Sequence, residues 1–312
     1  VDGAELALAA HELGGAHPPG YGVYVLLGHM TTRLPLAMAV AGRLLWLSHL
    51  AAVLTCVVLA LLAVRVHRHK HGEQSHTLQV GVLAAGVLGL SAPFWSQAII
   101  IEVYALLALF FCVLLCLSQT SRRHFVLLGG VVCGLALTHH LTAWLWLPGF
   151  VLLWGWQAWR WRLLGIITGL SIGYGLLWLF AGHAPAADWG GVRGSAAAFL
   201  SHISAAQYQA YIIPDITSLQ QGLSETLISL TQGMTWPVLL LALAGCGLYA
   251  RQLPRLAAAS VLWGLSLVGF AALYTGDDTR SAYTLPLVVL VALWSALALL
   301  HFMRAWHVIT RW

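Results

Sequence analysis

The polar and apolar positions of this chain form long, unbroken apolar runs separated by short polar loops. Residues in such runs do not alternate with the ten-residue period-two pattern that membrane β-barrels show. Runs of about 20 apolar residues predict helices that cross a bilayer, because a helix satisfies its own backbone hydrogen bonds in lipid. The pattern predicts an all-α, polytopic transmembrane bundle of about nine spans, at about 42–64, 77–97, 103–118, 125–139, 141–157, 163–181, 234–250, 256–275 and 283–302.

Two of these runs, 125–139 and 141–157, are shorter than the roughly 20 residues that a full crossing needs. They meet at the polar sequence Thr138-His139-His140. We therefore expect these two helices to be tilted, or broken inside the protein.

Composition agrees with a membrane protein. Charged residues make up 8% of the chain, whereas a soluble domain has about 25%. The five cysteines all fall inside apolar runs and show no disulfide or zinc spacing, which is typical of small buried side chains. The formal net charge of +5 would suggest nucleic acid as the partner of a soluble protein. Here the distribution of charge between loops explains it, and no nucleic acid is expected.

The loops alternate in charge along the chain. One set holds 11 of the 15 lysines and arginines with a single acid, Glu73. By the positive-inside rule this set is cytoplasmic, which predicts that the remaining polar loops lie on the external or periplasmic face. Those external loops hold the other nine acids and include 1–41 and the long segment 183–233. The cytoplasmic set contains Arg65, Arg68, Lys70, Arg122, Arg123, Arg160, Arg162, Arg251, Arg255, Arg304 and Arg311.

Charged and titratable side chains are concentrated in the opening stretch, residues 2–24. Three acids and two histidines lie within its first 17 residues, directly before the apolar part of the chain. Charge beside hydrocarbon is costly and tends to mark function. The sequence Pro18-Pro19-Gly20 ends any helix that begins near Asp2. We expect an acidic helix or loop at the membrane surface, a sharp turn, and a return toward the bilayer.

Five short motifs, in order over about 285 residues, resemble the family of bacterial protein O-mannosyltransferase-like membrane proteins related to transmembrane protein 260. That family lies within the GT-C glycosyltransferase superfamily. Each motif alone is weak, and the ordered set carries the resemblance. The motifs are Asp2-Gly-Ala-Glu5 with Gly15-Ala-His17-Pro-Pro-Gly-Tyr21; Pro93-Phe-Trp-Ser-Gln97 with Glu102-Val-Tyr-Ala105; Gly134-Leu-Ala-Leu-Thr-His-His140; Trp189-Gly190 with Phe199, His202 and Tyr208; and Asp277-Asp278 with Tyr283 and Pro286.

The resemblance implies one GT-C-like transmembrane domain over 1–312, with catalytic loops on its external face. It implies a polyprenyl-phosphate-linked, mannose-like sugar as donor and a hydroxyl group as acceptor. An acid in the first external loop takes the acceptor's proton, and the sugar inverts its configuration. Asp2 matches the position of that acid, with Glu5 as its neighbour or substitute. A base must lie within hydrogen-bond reach of the nucleophile, which agrees with the acidic opening stretch.

The remaining candidate residues would bind substrate. A leaving phosphate needs fixed positive charge or hydrogen-bond donors, for which Arg280 with His139 or His140 is the candidate group. The alternatives are an ion pair of Arg280 with an aspartate of its own loop, and histidines that cap two short helices. Glu102 could orient a neighbour, bind a metal or pair with an arginine. No metal-ligand signature is present, and a divalent metal stays an open question. The substrate-binding candidates are His17, Tyr21, Glu102, His139, His140, Trp189, Asp278 and Arg280.

Two other functions compete with the enzyme. Members of the family carry a membrane helix before the acidic loop, and since this chain starts at Val1 we expect that first helix to be missing from it. The sequence is then either a fragment or processed form, or a subunit that has lost the helix. The second alternative favours a catalytically silent, GT-C-like structural subunit of a larger membrane complex. A transporter would place polar groups near mid-membrane, whereas the polar clusters here lie on one face. The expected partners are membrane lipid, a lipid-linked sugar, and a protein acceptor or the subunits of a complex.

Overall fold

The computed structural model describes residues 2–71, 77–156, 158–184, 187–190, 192–212, 215–276 and 280–309. This described part contains no β-strand, and one isolated antiparallel bridge joins Ile212 to Tyr274. Short 3₁₀ helices span Leu141–Trp146 and Ala206–Tyr211. The α-helices are α1 (Gly3–Glu12), α2 (Gly22–Thr32), α3 (Val40–His71), α4 (Thr77–Gly89), α5 (Ala92–Ala98), α6 (Tyr104–Leu117), α7 (Arg123–His139), α8 (Leu147–Trp154), α9 (Trp159–Phe180), α10 (Ala196–Ile203), α11 (Ile216–Met234), α12 (Trp236–Ala250), α13 (Pro254–Leu273), α14 (Arg280–Tyr283) and α15 (Leu285–Ile309).

The predicted all-α membrane bundle is confirmed, and each of the nine apolar runs coincides with helix. Within the described ranges, four helices, α3, α9, α13 and α15, are long and apolar enough to cross a membrane. Two further crossings would be bent pairs, α4 with α5 at 72° and α11 with α12 at 96°. This gives four to six candidate spans rather than nine. The other three runs are the shorter apolar helices Tyr104–Leu117, Arg123–His139 and Leu141–Trp154.

The bends occur where proline begins a helix. Pro93 and Pro237 stand in the first turns of α5 and α12. Proline fits that position, because the first N–H groups of a helix have no intrahelical partner. The preceding helix cannot continue in line through such a residue, so each apolar run divides into two helices at an angle.

Helix α15 lies at the centre of the bundle and α9 at its edge. Of the most apolar stretch of α15, 78% is buried, against 22% for α9. Next to α15, an aromatic core joins α13 to the 141–154 segment. There the indole N–H of Trp263 donates to the carbonyl oxygen of Trp146 at 2.8 Å, and Phe111 packs edge-on against both rings at 5.1 Å.

A seam of glycines brings α7 and α9 into backbone contact. A methyl group at Gly134 would overlap the carbonyl of Ile166, and one at Gly169 would overlap the carbonyl of Val131. Small residues spaced four apart let two membrane helices approach this closely. The seam ends where Gly173 meets Thr138, so it also fixes the polar end of α7. Its glycines are Gly130, Gly134, Gly165, Gly169 and Gly173.

The arginine-bearing loops meet at one end of the bundle. Arg65, near the end of α3, donates to the carbonyl of Gln119 at 2.6 Å. The indole N–H of Trp154 donates to Ser118 at 2.8 Å, and the Arg162 guanidinium lies 4.6 Å from the Trp154 ring. Helix α3 starts at the other end, where the hydroxyl of Ser48 lies 3.5 Å from the Glu102 carbonyl. The basic loops and the acidic opening stretch are therefore separated by the length of α3.

Candidate active site

The opening stretch folds as a helix, a tight turn and a second helix. Helix α1 ends at Leu13, whose φ is +54°, and α2 begins at Gly22. Between them the Pro18-Pro19 peptide is cis and Gly20 has φ of +100°. A side chain at Gly20 would be strained at this φ and would also meet Leu177 and His202. The predicted helix and sharp turn are present, and a second helix follows them.

This turn brings His17 back onto Glu5 of α1. The backbone N–H of His17 donates to Glu5 Oε1 at 2.9 Å, and its ring Nδ1 lies 2.7 Å from Glu5 Oε2. Burial alone lowers the pKa of His17. The hydrogen bond to Glu5 and the charges of Glu5, Asp2 and Glu102 outweigh burial, so the pKa is raised. Both oxygens of Glu5 are thus occupied by one residue.

A cavity of about 150 Å³ opens beside this pair. Four of the predicted site residues line it: Asp2, His17, Tyr21 and His140. Asp2 is exposed, and its carboxylate makes no hydrogen bond or ion pair within the described part of the chain. Because Glu5 is engaged with His17, Asp2 is the carboxylate of the opening helix that faces the cavity.

Aromatic side chains from distant elements form the opposite wall. Tyr104 lies 5.3 Å from His140 and 5.9 Å from Tyr283, between ring centroids. Tyr283 in turn packs on Tyr274 at 5.5 Å and on Phe270 at 5.4 Å. Sequence reasoning did not assign these residues to the site. Each stands at or near a helix end, where aromatics are common in membrane proteins whatever their function. The aromatic wall comprises Tyr104, Tyr208, Phe270, Tyr274 and Tyr283.

The two adjacent histidines have different surroundings. His139 is fully buried, and its Nε2 donates to the Val103 carbonyl at 3.0 Å. Its ring lies behind Tyr21 and does not line the cavity. His140 lines the cavity, and its Nδ1 accepts from the backbone N–H of Thr142 at 3.2 Å, which caps the 3₁₀ helix. Burial, with the nearby histidines His139 and His17, lowers the pKa of His140 to about 3. A neutral His140 supplies hydrogen bonds but no positive charge.

Glu102 lies next to the cavity without lining it. Its Oε2 is 3.3 Å from the backbone N–H of Val103. Burial, together with the negative charge of Asp2, raises the pKa of Glu102 to about 7. Near neutral pH this carboxyl is therefore protonated in a large fraction of molecules, while Asp2 faces the cavity beside it.

Glu102→Gln should stabilise the protein at alkaline pH. Burial raises the pKa of Glu102 in the folded state from the usual 4.5 to about 7, so the fold loses stability as pH rises from about 4.5 to about 7, and the full cost of the charge is present above pH 7. Glutamine carries no charge at any pH. The melting temperature of the variant minus that of the parent should be larger at pH 8.5 than at pH 5. A difference that does not change with pH would show that Glu102 is not charged at a cost in the fold.

Trp189 does not line the cavity, and the side chains of Arg280 and Asp278 lie outside the described part of the chain. The backbone N–H of Trp189 donates to the Gly15 carbonyl at 2.8 Å, and the half-exposed indole packs edge-on against His17 at 5.8 Å. Trp189 thus supports the turn. Arg280 is the first residue of α14. Asp278 lies outside the described residues, as does its neighbour Asp277.

The described residues contain no cluster of three or more histidine, cysteine, aspartate or glutamate side chains that could hold a metal ion. The site combines a free carboxylate, a histidine held by a second carboxylate, and a wall of tyrosines.

Comparison with solved structures shows where this fold recurs. The crystal structure of ArnT from Cupriavidus metallidurans bound to undecaprenyl phosphate aligns with a TM-score of 0.64 and 15% identity, over 96% of this chain and 55% of ArnT. The apo structure of the same protein aligns with a TM-score of 0.60 and 14% identity, over 91% of this chain and 49% of ArnT. At this identity the likeness concerns the fold, which is GT-C-like.

Sequence comparison gives the family. The chain is 34% identical over 149 residues to the mouse protein O-mannosyl-transferase TMEM260. This alignment covers 45% of the chain and 20% of the mouse protein, so the chain spans only a small part of that relative's length. Residues 2–163, just over half of the chain, match the family model described as the protein O-mannosyl-transferase TMEM260 N-terminal domain. The chain therefore belongs to the family of the TMEM260 N-terminal domain.

Proposed function

We propose that this protein is a membrane glycosyltransferase that moves a mannose-like sugar from a polyprenyl-phosphate donor to a hydroxyl acceptor, with inversion. The observation that carries the proposal is the position of Asp2. Its carboxylate faces a cavity walled by tyrosines, while the neighbouring Glu5 is fully engaged by His17. A general base needs this arrangement, in which an ionisable group is within reach of a bound hydroxyl and is not held by protein donors.

In the proposed reaction Asp2 accepts the proton of the acceptor hydroxyl. The acceptor oxygen attacks the anomeric carbon as the bond from that carbon to the phosphate oxygen breaks. The electron pair of that bond leaves with the polyprenyl phosphate. The tyrosines supply flat apolar faces and hydroxyl groups, which suit a ring that carries both C–H and O–H groups.

The comparisons support the substrate class. The mouse relative is named a protein O-mannosyl-transferase, and one ArnT crystal contains undecaprenyl phosphate. Both proteins are longer than the matched region, so the assignment of their substrates to this chain is part of the proposal. A protein hydroxyl is the acceptor that the name of the mouse relative suggests.

The proposal places the cavity on the periplasmic face of a bacterial inner membrane. The basic loops lie at the other end of the bundle, and basic loops are retained in the cytoplasm. A donor carried on a membrane lipid suits a reaction on the external face, where a soluble cytoplasmic donor is absent.

A donor comparison tests the proposal. The full chain, purified in detergent, is given radiolabelled mannose either on a polyprenyl phosphate or on a nucleotide, together with serine- and threonine-containing acceptor peptides. We expect label to move from the lipid donor and not from the nucleotide. Transfer from the nucleotide alone would overturn the proposal. Failure of transfer from both donors, with other membrane subunits co-purifying, would favour the catalytically silent subunit.

A further inference from the structure

We propose that His17, positioned by Glu5, is the group that binds the phosphate of the lipid-linked donor. This inference rests on the proposed function and assigns one part of the cavity to the charged end of the donor. The residues considered for this role on sequence grounds were Arg280, His139 and His140. The side chain of Arg280 lies outside the described part of the chain, His139 does not line the cavity, and His140 is neutral. Among the described side chains, the geometry points to the opening turn.

The first argument is the geometry of the His17 ring. Glu5 Oε2 lies 2.7 Å from Nδ1 of the ring, and Glu5 Oε1 accepts a hydrogen bond from the backbone N–H of His17 at 2.9 Å. Tyr21 packs edge-on against the imidazole at 5.0 Å, and Trp189 does so at 5.8 Å. The ring is thus held in place and lines the cavity. Its Nε2 has no hydrogen bond within the described part of the chain and is the ring atom left for a ligand.

The second argument concerns which of the described residues that line the cavity can carry a positive charge. No lysine or arginine is among the described residues that line it. His140, the other histidine of the lining, has a lowered pKa and is neutral. A phosphate bound here needs at least one charged donor, and His17 is the described lining residue that fits.

The third argument is the set of charges that face His17. Glu5 and Asp2 approach it from the opening helix, and Glu102 from the loop before α6. The imidazoles of His140 and His202 face it as well, and burial lowers the pKa of both. The negative charges of Glu5 and Asp2, and of Glu102 when it is ionised, favour the protonated form of His17, whose pKa is raised. The two rings, when neutral, do not oppose it. A proton on Nε2 would then be donated to a phosphate oxygen and would stabilise the negative charge of the leaving group.

Binding of farnesyl phosphate, a short isoprenoid phosphate, tests the proposal without any transfer step. The purified full chain is titrated with farnesyl phosphate, with farnesol, which lacks the phosphate, and with inorganic phosphate. His17→Gln should weaken farnesyl phosphate binding about tenfold or more, since hydrogen bonds to charged groups are the strong ones. It should leave farnesol binding unchanged. The matched control is His183→Gln, because His183 is exposed and does not line the cavity.

The pH dependence separates a charged donor from a structural residue. Above pH 6.5 the phosphate of the ligand is mostly dianionic, since its second pKa is about 6. Affinity of the parent protein should then fall as pH rises through the raised pKa of His17. Glu5→Gln removes the main cause of the raised pKa, so the fall should occur at a lower pH. Glu102, whose pKa is raised to about 7, titrates in the same range, so the series is repeated in a Glu102→Gln background. In that background His17→Gln should remove the pH dependence.

Any one of three results would overturn the inference. His17→Gln could bind farnesyl phosphate as tightly as the parent does, or it could lose farnesol and farnesyl phosphate binding equally. The third result is that the parent binds inorganic phosphate as tightly as farnesyl phosphate. Asp2→Asn separates this inference from the proposed function. If that variant loses transfer while His17→Gln still binds farnesyl phosphate normally, the phosphate assignment is wrong and the transferase proposal stands.

Discussion

Asp2→Asn should lower sugar transfer by about a hundredfold or more, within the range that a positioned general base contributes. Asparagine has the same shape as aspartate and cannot accept the proton of the acceptor hydroxyl. The Asp2 side chain is exposed and does not bond to the helix that it precedes, so its replacement should leave the fold intact. Initial rates with saturating lipid donor, measured beside the melting temperature, give both quantities.

Glu12→Gln is the matched control for this variant. Glu12 is also an exposed acid of α1, but it pairs with His11 at 3.6 Å and does not line the cavity. It should retain parental activity. Equal rates for Asp2→Asn and the parent would remove Asp2 as the base. Equal losses in both variants would indicate that the charge of α1, rather than one carboxylate, supports the reaction.

Gly169→Ala should destabilise the protein strongly, by about 3 kcal/mol or more. Overpacking commonly costs 1–3 kcal/mol, and here the added methyl group would overlap backbone atoms, which cannot rotate away. The atoms concerned are the carbonyl group of Val131 and the backbone of Gly134 in α7. Chemical denaturation in detergent, or the temperature at which the protein loses its monodisperse elution, measures the effect.

Gly175→Ala on the same helix is the control. No atom lies within 4 Å of the methyl group that this change would add. Alanine is the better helix former by about 1 kcal/mol, so this variant should be as stable as the parent or more so. If both variants behave alike, the contact between α7 and α9 is not what the structure shows.

Much of the fold could be predicted because lipid leaves few alternatives to helices. The apolar runs mark the helices, and the short runs around Thr138-His139-His140 did correspond to short helices. The helix α11, Ile216–Met234, lies almost entirely in the long segment 183–233 and is not marked by an apolar run. Its apolar residues lie on one face only, so its mean hydropathy resembles that of a loop. The angle of 96° to α12 depends on a proline turn that hydropathy does not report.

The site could be predicted where its residues lie close together in sequence. It could not be predicted where residues far apart in sequence meet in the fold. Asp2 and His17 stand out as charged groups next to apolar sequence. The bond between Glu5 and His17 spans twelve positions through the Pro-Pro-Gly turn, and spacing alone does not predict it. The aromatic wall brings Tyr104 together with Tyr283, which are 179 positions apart. Only the packing of α6 against α14 and α15 makes those tyrosines part of one cavity.

The measurement that most directly tests the transferase site is a cryo-EM map of Asp2→Asn with a polyprenyl-phosphate mannose bound. We expect the sugar in the cavity against Tyr104 and Tyr283, its anomeric carbon on the side of residue 2, and its phosphate within hydrogen-bond distance of His17 Nε2. Lipid phosphate bound elsewhere, with the cavity filled by protein side chains or by another subunit, would contradict the account.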